Sequence, residues 1–244
     1  MSTSHRKIVI RERENLFPLL VNAFIASAKE AIERDKLFTV ALSGGRTPVP
    51  FFQQLAEIEE DIWLKTHIFL VDERFVPWND QESNYRLMNE HLIDHLPIPR
   101  DQIHPIATDF SSLQEGAQAY ERDLRKFFRK IPGLFPSFDF ILLGIGEDGH
   151  TASLFSGTPA LARDNDWVVT TDSAALKQKR ISFSLPLINA GRKVFFLVTG
   201  PSKSQIVFEI LKNEQCRLPA ALVKPQPGML YFFLDQDAIS WKTS

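Results

Sequence analysis

The sequence is poor in cysteine and has no long apolar run. Its 244 residues include one cysteine, Cys216, which excludes a disulfide framework and a zinc site made of several cysteines. The longest apolar runs, such as 194–198, have the length of a β-strand and fall far short of the roughly 20 residues that cross a membrane. Residues 1–14 contain no apolar core of the signal-peptide type. We therefore expect a cytoplasmic protein that has no membrane partner.

An excess of positive charge is also lacking. The chain has 28 Lys and Arg residues against 30 Asp and Glu residues, a formal net charge of −2, and its basic residues are scattered. Nucleic-acid binding requires basic residues that cluster on one face or along one helix. The sequence therefore predicts no nucleic-acid partner.

The apolar residues that are present alternate between two periods along the chain. Short apolar runs predict strands at 7–10, 37–42, 67–71, 138–143, 194–198 and 229–234. Helical periodicity and helix-start signals predict helices at 16–32, 83–95, 112–128 and 202–211, and a further helix after Thr47-Pro48. This alternation is typical of an α/β protein whose central sheet is mostly parallel and flanked by helices. Because no repeat or long linker interrupts it, we expect a single domain over 1–244.

A glycine-rich turn, Ser43-Gly44-Gly45-Arg46-Thr47, follows the second predicted strand. Glycines let the backbone turn tightly and approach a ligand, and the N-terminus of the next helix offers free N–H groups to an anion. The turn lacks the Gly-Lys-Ser/Thr ending that binds a nucleoside triphosphate with its magnesium. From these residues alone, a phosphate site and an ordinary strand-to-helix turn both remain open.

A second glycine-rich stretch, 144–149, follows the fourth predicted strand and matches the spacing of a dinucleotide-binding turn. Glu147 and Asp148 would place two carboxylates where the pyrophosphate must lie, and their repulsion of that anion argues against the cofactor. His91 and His95 are four residues apart on a predicted helix, but no third ligand is evident and the His-Glu-x-x-His pattern is missing. We therefore expect neither a nucleotide nor a metal as cofactor.

His150 is the candidate general base. It directly follows the 144–149 stretch, and Asp148 lies two residues earlier. Functional groups of parallel sheets gather beyond the carboxyl ends of the strands, which is where this histidine is expected. A histidine beside a carboxylate can accept a proton from water at neutral pH.

Two further charged stretches follow predicted strands. In the first, Asp72 and Glu73 could orient Arg74 or substrate hydroxyls, while Arg74 meets an anion or a developing oxyanion. In the second, Lys203 lies at a strand-to-helix junction from which it could reach a phosphate. Taken alone, a solvated loop and a surface lysine remain open interpretations.

With these motifs the sequence resembles the 6-phosphogluconolactonase family. The matching stretches run in order from about residue 7 to residue 238, and the most specific is Gly-x-Gly-x-Asp-Gly-His-Thr-Ala-Ser-Leu-Phe at 144–155. The others are Ser-Gly-Gly-x-Thr-Pro at 43–48, Asp-Glu-Arg-x-Val-Pro at 72–77 with Ser83-Asn84-Tyr85, Arg180-Ile181-Ser182, Leu197-Val198-Thr199-Gly200 with Lys203, and Leu218-Pro219-Ala220. The resemblance implies a Rossmann-like three-layer α/β fold. It also implies hydrolysis of 6-phospho-D-glucono-1,5-lactone in the oxidative pentose phosphate pathway, without metal or nucleotide.

The resemblance further implies roles for particular side chains. His150 would activate water for attack on the lactone carbonyl, Asp148 would hold or tune it, and Arg74 would face the substrate. The residues that would bind the sugar phosphate are Ser43, Gly44, Gly45, Arg46, Thr47, Asp72, Arg180 and Lys203. Two departures from the family's pattern are minor, since Arg46 stands where serine is common and Ile239 where a second alanine is usual.

Two other functions stay open at this point. A related family of amino-sugar-phosphate deaminases and isomerases shares the Ser-Gly-Gly and Asp-Gly-His motifs, but its histidine is oriented by a glutamate where this chain has Phe155. Sugar-phosphate-binding domains of transcription regulators share this kind of fold, yet a binder alone has no need of His150. We expect a small sugar phosphate as the partner and substrate, and a chain that acts as a monomer or homodimer.

Overall fold

Two β-sheets organise the protein. The structure is a computed structural model that describes residues 6–59, 61–129, 134–174 and 176–242. Its strands are β1 (Arg6–Arg11), β2 (Phe38–Leu42), β3 (Thr66–Leu70), β4 (Asp72–Arg74), β5 (Ile103–His104), β6 (Phe140–Leu143), β7 (Val168–Thr171), β8 (Arg180–Phe183), β9 (Lys193–Val198) and β10 (Met229–Asp235). Its α-helices are α1 (Arg13–Asp35), α2 (Val49–Ala56), α3 (Asn84–His91), α4 (Leu113–Phe128), α5 (Leu185–Asn189) and α6 (Ser204–Lys212).

The central sheet has the strand order β1-β10-β9-β6-β2-β3-β5, and each of its pairings is parallel. β2 and β6 are neighbours at its middle, with β3 beyond β2 and β9 beyond β6. The chain therefore leaves these two strands in opposite directions. Such a switch point opens a crevice outside the carboxyl ends of the two strands, where ligands of open α/β sheets bind.

The apolar runs explain why these strands form the middle of the protein. Every residue of β2 and of β6 is buried, as expected for strands covered on both faces. α1 buries the face that its periodicity predicted, with Leu20, Phe24 and Ala28 fully inaccessible to solvent. The three-layer α/β fold with a mostly parallel sheet is therefore confirmed.

A small antiparallel sheet, in the order β4-β8-β7, is the part of the fold that the sequence analysis did not predict. Its register places Asp72 opposite Ser182 and Arg74 opposite Arg180. β4 follows β3 after one residue, so the charged stretch at the end of the predicted strand is itself a short strand. The small sheet thereby carries Asp72 and Arg74 to the end of the central sheet.

The predicted helix at 83–95 is wrong in its last four residues. α3 ends at His91, Leu92 leaves the helical region with φ −141° and ψ −68°, and a short 3-10 turn follows at Ile93–His95. Ser83 caps the N-terminus of α3 by accepting a hydrogen bond from the Arg86 N–H. None of the helices in the described parts of the chain is both long and apolar enough to cross a membrane.

Candidate active site

A cleft of about 240 Å³ lies at the switch point of the central sheet. The turns after β2 and β6 and the strands of the small sheet all contribute to its lining. The cleft is lined by Ser43, Gly44, Gly45, Asp72, Arg74, Asn84, Gly144, Ile145, Gly146, His150, Ala152, Arg180 and Lys203. Most of the residues proposed from the sequence therefore meet in one place, although they come from five separate stretches of chain.

His150 and Asp148 form a hydrogen-bonded pair in the loop 144–155, which we call the histidine loop. The distance from His150 Nδ1 to Asp148 Oδ1 is 2.5 Å, and the His150 backbone N–H donates to the same oxygen over 3.1 Å. An ionised carboxylate only accepts hydrogen bonds, so Nδ1 carries the proton and Nε2 is left as the acceptor. This is the tautomer that a general base needs.

The charge state of Asp148 follows from its surroundings. Partial burial acts to raise the pKa of Asp148, but the hydrogen bonds and the charge of His150 outweigh it and lower the pKa below its ordinary value. The carboxylate is therefore ionised over the whole range in which an imidazole titrates, near pH 6.5 when unperturbed. Asp148 can hold His150 and stabilise its charged form without itself exchanging a proton.

Phe155 closes the histidine loop against two cleft residues. Its ring centroid lies 4.3 Å from that of the His150 imidazole, and the Arg180 guanidinium carbon lies 5.6 Å from the same ring. Phe155 thus takes part in packing at the position where the deaminase and isomerase family has a glutamate. It offers His150 an apolar surface and no hydrogen bond.

Arg74 and Arg180 face the cleft from adjacent strands of the small sheet. Like charges that are directly opposite each other across a strand pair destabilise a sheet. Neither arginine forms an ion pair with any residue that the structure describes. Burial, followed by the charge of Arg74, lowers the pKa of Arg180, while the carboxylates Asp72, Glu82 and Glu73 act in the opposite direction. Two neighbouring guanidinium groups without a carboxylate partner are suited to an anionic ligand.

Buried polar atoms without a hydrogen-bond partner are concentrated at this cleft. They include Ser43 Oγ, Arg74 Nε, Asn84 Oδ1 and Arg180 Nε. Buried polar groups are normally hydrogen-bonded, so their concentration marks the place as one that receives a polar ligand. Asn84 lines the cleft although the residue pattern assigned it no role, and the Ser83-Asn84-Tyr85 match was the only signal for it.

The glycine turn at 43–47 enters the cleft only in part. Ser43, Gly44 and Gly45 line it, whereas Arg46 is exposed and Thr47 is half-buried outside the lining. Gly44 packs against Asn84, because a Cβ at Gly44 would lie 2.2 Å from Asn84 Oδ1. A side chain at this position would push the turn out of the cleft.

Lys203 reaches the cleft from the turn between β9 and α6. This turn begins at Gly200, whose φ of 93° belongs to the region that glycine adopts at low cost. The Gly200 N–H donates to both carboxylate oxygens of Asp235, at 3.0 and 2.9 Å. Asp235 therefore fixes the turn that presents Lys203.

Asp72 and Glu73 are neighbours in β4 but face different surroundings. Asp72 lines the cleft, and its Oδ2 accepts a 2.6 Å hydrogen bond from Ser153 Oγ.

Glu73 is fully buried beneath the start of α3. Its carboxylate accepts hydrogen bonds from the backbone N–H groups of Arg74, Asn84 and Tyr85 and from the Ser83 hydroxyl. Burial raises the pKa of Glu73 to about 6 although these bonds act against the rise. Glu73 is thus a helix-capping group and does not reach the ligand.

No group of three or more His, Cys, Asp or Glu side chains that could hold a metal ion occurs among the residues described. His91 and His95 lie at the end of α3 and in the 3-10 turn after it. The groups that meet at the cleft are a histidine, carboxylates and cations.

This arrangement of fold and cleft defines an α/β protein whose switch-point cleft brings a histidine–aspartate pair together with cationic side chains. A sequence model described as "Glucosamine-6-phosphate isomerases/6-phosphogluconolactonase" matches residues 11–232, and the chain belongs to that family.

Individual relatives agree with this assignment. A 6-phosphogluconolactonase from Synechocystis sp. is 43% identical over 202 residues, which is 82% of this chain and 82% of the relative. A 6-phosphogluconolactonase from Nostoc sp. is 34% identical over 232 residues, covering 94% of this chain and 95% of the relative. The crystal structure of 6-phosphogluconolactonase from Thermotoga maritima matches with a TM-score of 0.82 at 31% identity, covering 95% of this chain and 100% of that one. The resemblance on which the sequence analysis relied is confirmed.

Proposed function

We propose that this chain hydrolyses 6-phospho-D-glucono-1,5-lactone to 6-phospho-D-gluconate. The observation that carries the proposal is the His150–Asp148 pair, oriented with a free Nε2 in a cleft that also holds Arg74, Arg180 and Lys203. The curated relatives from Synechocystis and Nostoc bear the name of this activity. The reaction belongs to the oxidative pentose phosphate pathway, as the family resemblance implies.

The proposed chemistry needs one proton transfer before the carbon–oxygen bond breaks. His150 Nε2 takes a proton from water, and the resulting hydroxide adds to the lactone carbonyl carbon to give a tetrahedral oxyanion. Arg74 is the cation proposed to stabilise the negative charge on this oxygen. Collapse of the intermediate breaks the bond to the ring oxygen, which takes up the proton held by the His150 imidazolium and becomes the hydroxyl group of the product. This transfer restores the neutral base.

The phosphate is proposed to lie against the glycine turn and Lys203. Ser43, Gly44 and Gly45 offer a tight backbone approach, and Lys203 adds a positive charge from the turn after β9. Arg180 is a further anion contact in the proposal. Arg46 and Thr47 remain proposed contacts at the rim, outside the cleft lining.

The deaminase and isomerase alternative is disfavoured by Phe155. In that family a glutamate orients the histidine, whereas here an aromatic ring packs 4.3 Å from the imidazole centroid. A binding domain without catalysis would gain nothing from the orientation of Nε2. Lactone hydrolysis is therefore the function that the site supports best.

The remaining features of the proposal follow from the sequence and the cleft. Both sheets contribute residues to one cleft, which supports a single functional domain over the chain. The proposal includes no metal or nucleotide cofactor and no nucleic-acid partner, and it takes the active form as a monomer or homodimer. The proposed location is the cytoplasm, in keeping with the unpaired Cys216.

The decisive experiment compares wild type and His150→Ala as catalysts of lactone hydrolysis, with the spontaneous rate subtracted. Loss of a general base should lower kcat by about 10²–10⁴-fold and leave product affinity unchanged. Wild-type kcat/KM should fall on the acid side, because a protonated imidazole cannot accept a proton from water. A mutant with near-wild-type turnover, or with the same acid limb, would assign the base to another residue.

The phosphate site is tested with Lys203→Ala and with unphosphorylated gluconolactone. A charge-assisted hydrogen bond contributes about 1.5–3 kcal/mol, so the variant should raise KM for the phosphorylated lactone roughly tenfold or more. The same variant should leave the already poor turnover of gluconolactone unchanged. Equal efficiency of wild type on the two lactones would show that these residues do not bind the phosphate.

A further inference from the structure

Ser153 connects the histidine loop to each strand of the small sheet. Its hydroxyl donates to Asp72 Oδ2 in β4 over 2.6 Å, and its N–H donates to Ser182 Oγ in β8 over 3.2 Å. Its carbonyl accepts a 2.7 Å hydrogen bond from Thr171 Oγ1 in β7. Ser153 is fully inaccessible to solvent, so these bonds do not compete with water.

The residue before Ser153 shows that this junction is under strain. Ala152 has φ of 49°, a left-handed conformation that is unfavourable for a residue with a Cβ. A strained conformation persists when the surrounding bonds determine it, and the three bonds of Ser153 do so here. The strain turns the chain so that Ser153 faces the small sheet while His150, three residues earlier, faces the cleft.

The bond to Asp72 has a consequence for the ligand. A carboxylate accepts hydrogen bonds at both oxygens, and Ser153 occupies Oδ2. Among the described residues no donor bonds to Asp72 Oδ1, and Asp72 lines the cleft. The hydroxyl of Ser153 thus selects one carboxylate orientation and leaves the other oxygen for a donor from outside the protein.

We infer that Ser153 is a positioning residue that holds Asp72 so that Oδ1 accepts a hydrogen bond from a hydroxyl group of the sugar phosphate. This inference rests on the proposed function, since it takes the polyhydroxy lactone as the ligand. It assigns Asp72 to substrate binding and gives Ser153 no contact with the reacting atoms. Because the contact is to a remote hydroxyl, it is equally strong in the ground state and the transition state.

The test is Ser153→Ala, which removes the hydroxyl and retains the backbone bonds to Ser182 and Thr171. We expect KM for 6-phospho-D-glucono-1,5-lactone to rise roughly tenfold while kcat stays within about twofold. A residue that served only to brace the histidine loop would, when removed, displace His150 and lower kcat. A folded Ser153→Ala protein with wild-type KM, or with a loss confined to kcat, overturns the inference.

The matched control is Thr171→Val, which removes another hydroxyl bond to Ser153 and leaves the contact with Asp72 in place. It should keep the wild-type KM even where the melting temperature falls.

A double variant tests whether Ser153 acts through Asp72. In an Asp72→Ala background, Ser153→Ala should have no further effect on kcat/KM, and an undiminished effect there contradicts the inference. If Ser153→Ala does not fold, Ser153→Cys supplies a weak donor of similar size, and a wild-type KM in that variant counts against the inference.

The inference and the proposed function can fail separately. Absence of lactone hydrolysis by wild type would overturn the proposed function. Calorimetric titration of 6-phospho-D-gluconate into wild type, Ser153→Ala and Thr171→Val would then test the role of Ser153 by affinity alone. Weaker binding that is confined to Ser153→Ala supports the inference. Equal binding by all three proteins, or no binding by any, overturns it.

Discussion

Gly146 lies so close to the His150–Asp148 pair that a side chain does not fit beside it. A Cβ at this position would be 2.1 Å from His150 Nδ1 and 2.6 Å from Asp148 Oδ1. The Gly146 N–H also donates to the His150 carbonyl over 2.9 Å, which closes the turn around the histidine. The glycine is therefore part of the mechanism that holds the imidazole, although it has no chemistry of its own.

Gly146→Ala should displace the imidazole from Asp148. A misplacement of about 1 Å at a reacting group lowers the rate roughly 10²-fold, and we expect a fall of that size in kcat/KM. Gly144→Ala is the comparison, because a Cβ there lines the cleft without meeting any heavy atom of the protein within 4 Å, so it should leave kcat unchanged. Steady-state kinetics on both variants checks the prediction, and wild-type activity in Gly146→Ala would show that the pair tolerates the methyl group.

At the scale of secondary structure, the cleft depends on how one element ends and another begins. Asp235 is the last residue of β10, is 1% exposed, and bonds the Gly200 N–H at the start of the neighbouring turn. The same carboxylate accepts a 2.8 Å hydrogen bond from the Ala238 N–H. One buried side chain thus joins two chain segments around the position from which Lys203 enters the cleft.

Asp235→Asn should loosen the Lys203 turn. The amide retains one acceptor oxygen, but its NH2 group would face the Gly200 N–H, and an unpaired buried donor costs about 1–3 kcal/mol. We expect a lower free energy of unfolding and a higher KM for the phosphorylated lactone. Asp237→Asn, two residues later and exposed, is the control and should change neither. If Asp235→Asn lowers stability with no change in KM, the turn does not depend on Asp235 for its position.

The sequence predicted the elements of the central sheet better than those of the small sheet. Buried apolar runs fixed the observed strands of the central sheet to within two residues, except for β5, which has only two residues. β4 is made of Asp72, Glu73 and Arg74, whose charges are typical of a loop. Its partner strand β8 lies more than 100 residues later in the chain. Apolar periodicity carries no information about such a contact.

The candidate site, like the fold, could be predicted from the sequence only in part. The glycine turns and His150 were visible because parallel strands bring their carboxyl ends to one edge of a sheet. Asn84, Ser153 and Asp235 were not assigned roles, because what they do depends on which buried partner each one meets in three dimensions. Glu73 was proposed as an orienting acid, and it instead caps α3.

For the molecule as a whole, acid stability involves groups far from the cleft. His67 lies on β3 and His104 on the neighbouring edge strand β5, with 3.0 Å between His67 Nδ1 and His104 Nε2. Burial lowers the pKa of His67, and burial together with the neighbouring His67 lowers the pKa of His104 to about 4, with Asp101 acting in the opposite direction in both cases. Glu73 has the opposite dependence, because its raised pKa favours the folded state on acidification.

The folded protein should therefore lose stability between about pH 6.5 and pH 4 through His104. Above pH 6.5 this imidazole is neutral in the folded and unfolded states, so its contribution to stability is complete there. As the pH falls, the unfolded chain binds a proton that the folded protein takes up only near pH 4, and stability is lost across that interval. Because His104 is half-buried, we expect the free energy of unfolding to fall by about 1–2 kcal/mol between pH 7 and pH 5.

The test replaces the imidazole of His104. His104→Phe retains the ring that stacks on Phe69 at 4.1 Å and removes the titration, whereas His95→Asn changes an exposed histidine as the control. Denaturant unfolding of the three proteins at both pH values gives the difference directly. His104→Phe should show a smaller loss on acidification than wild type and His95→Asn, and an equal loss in all three would mean that His104 does not set the acid limit.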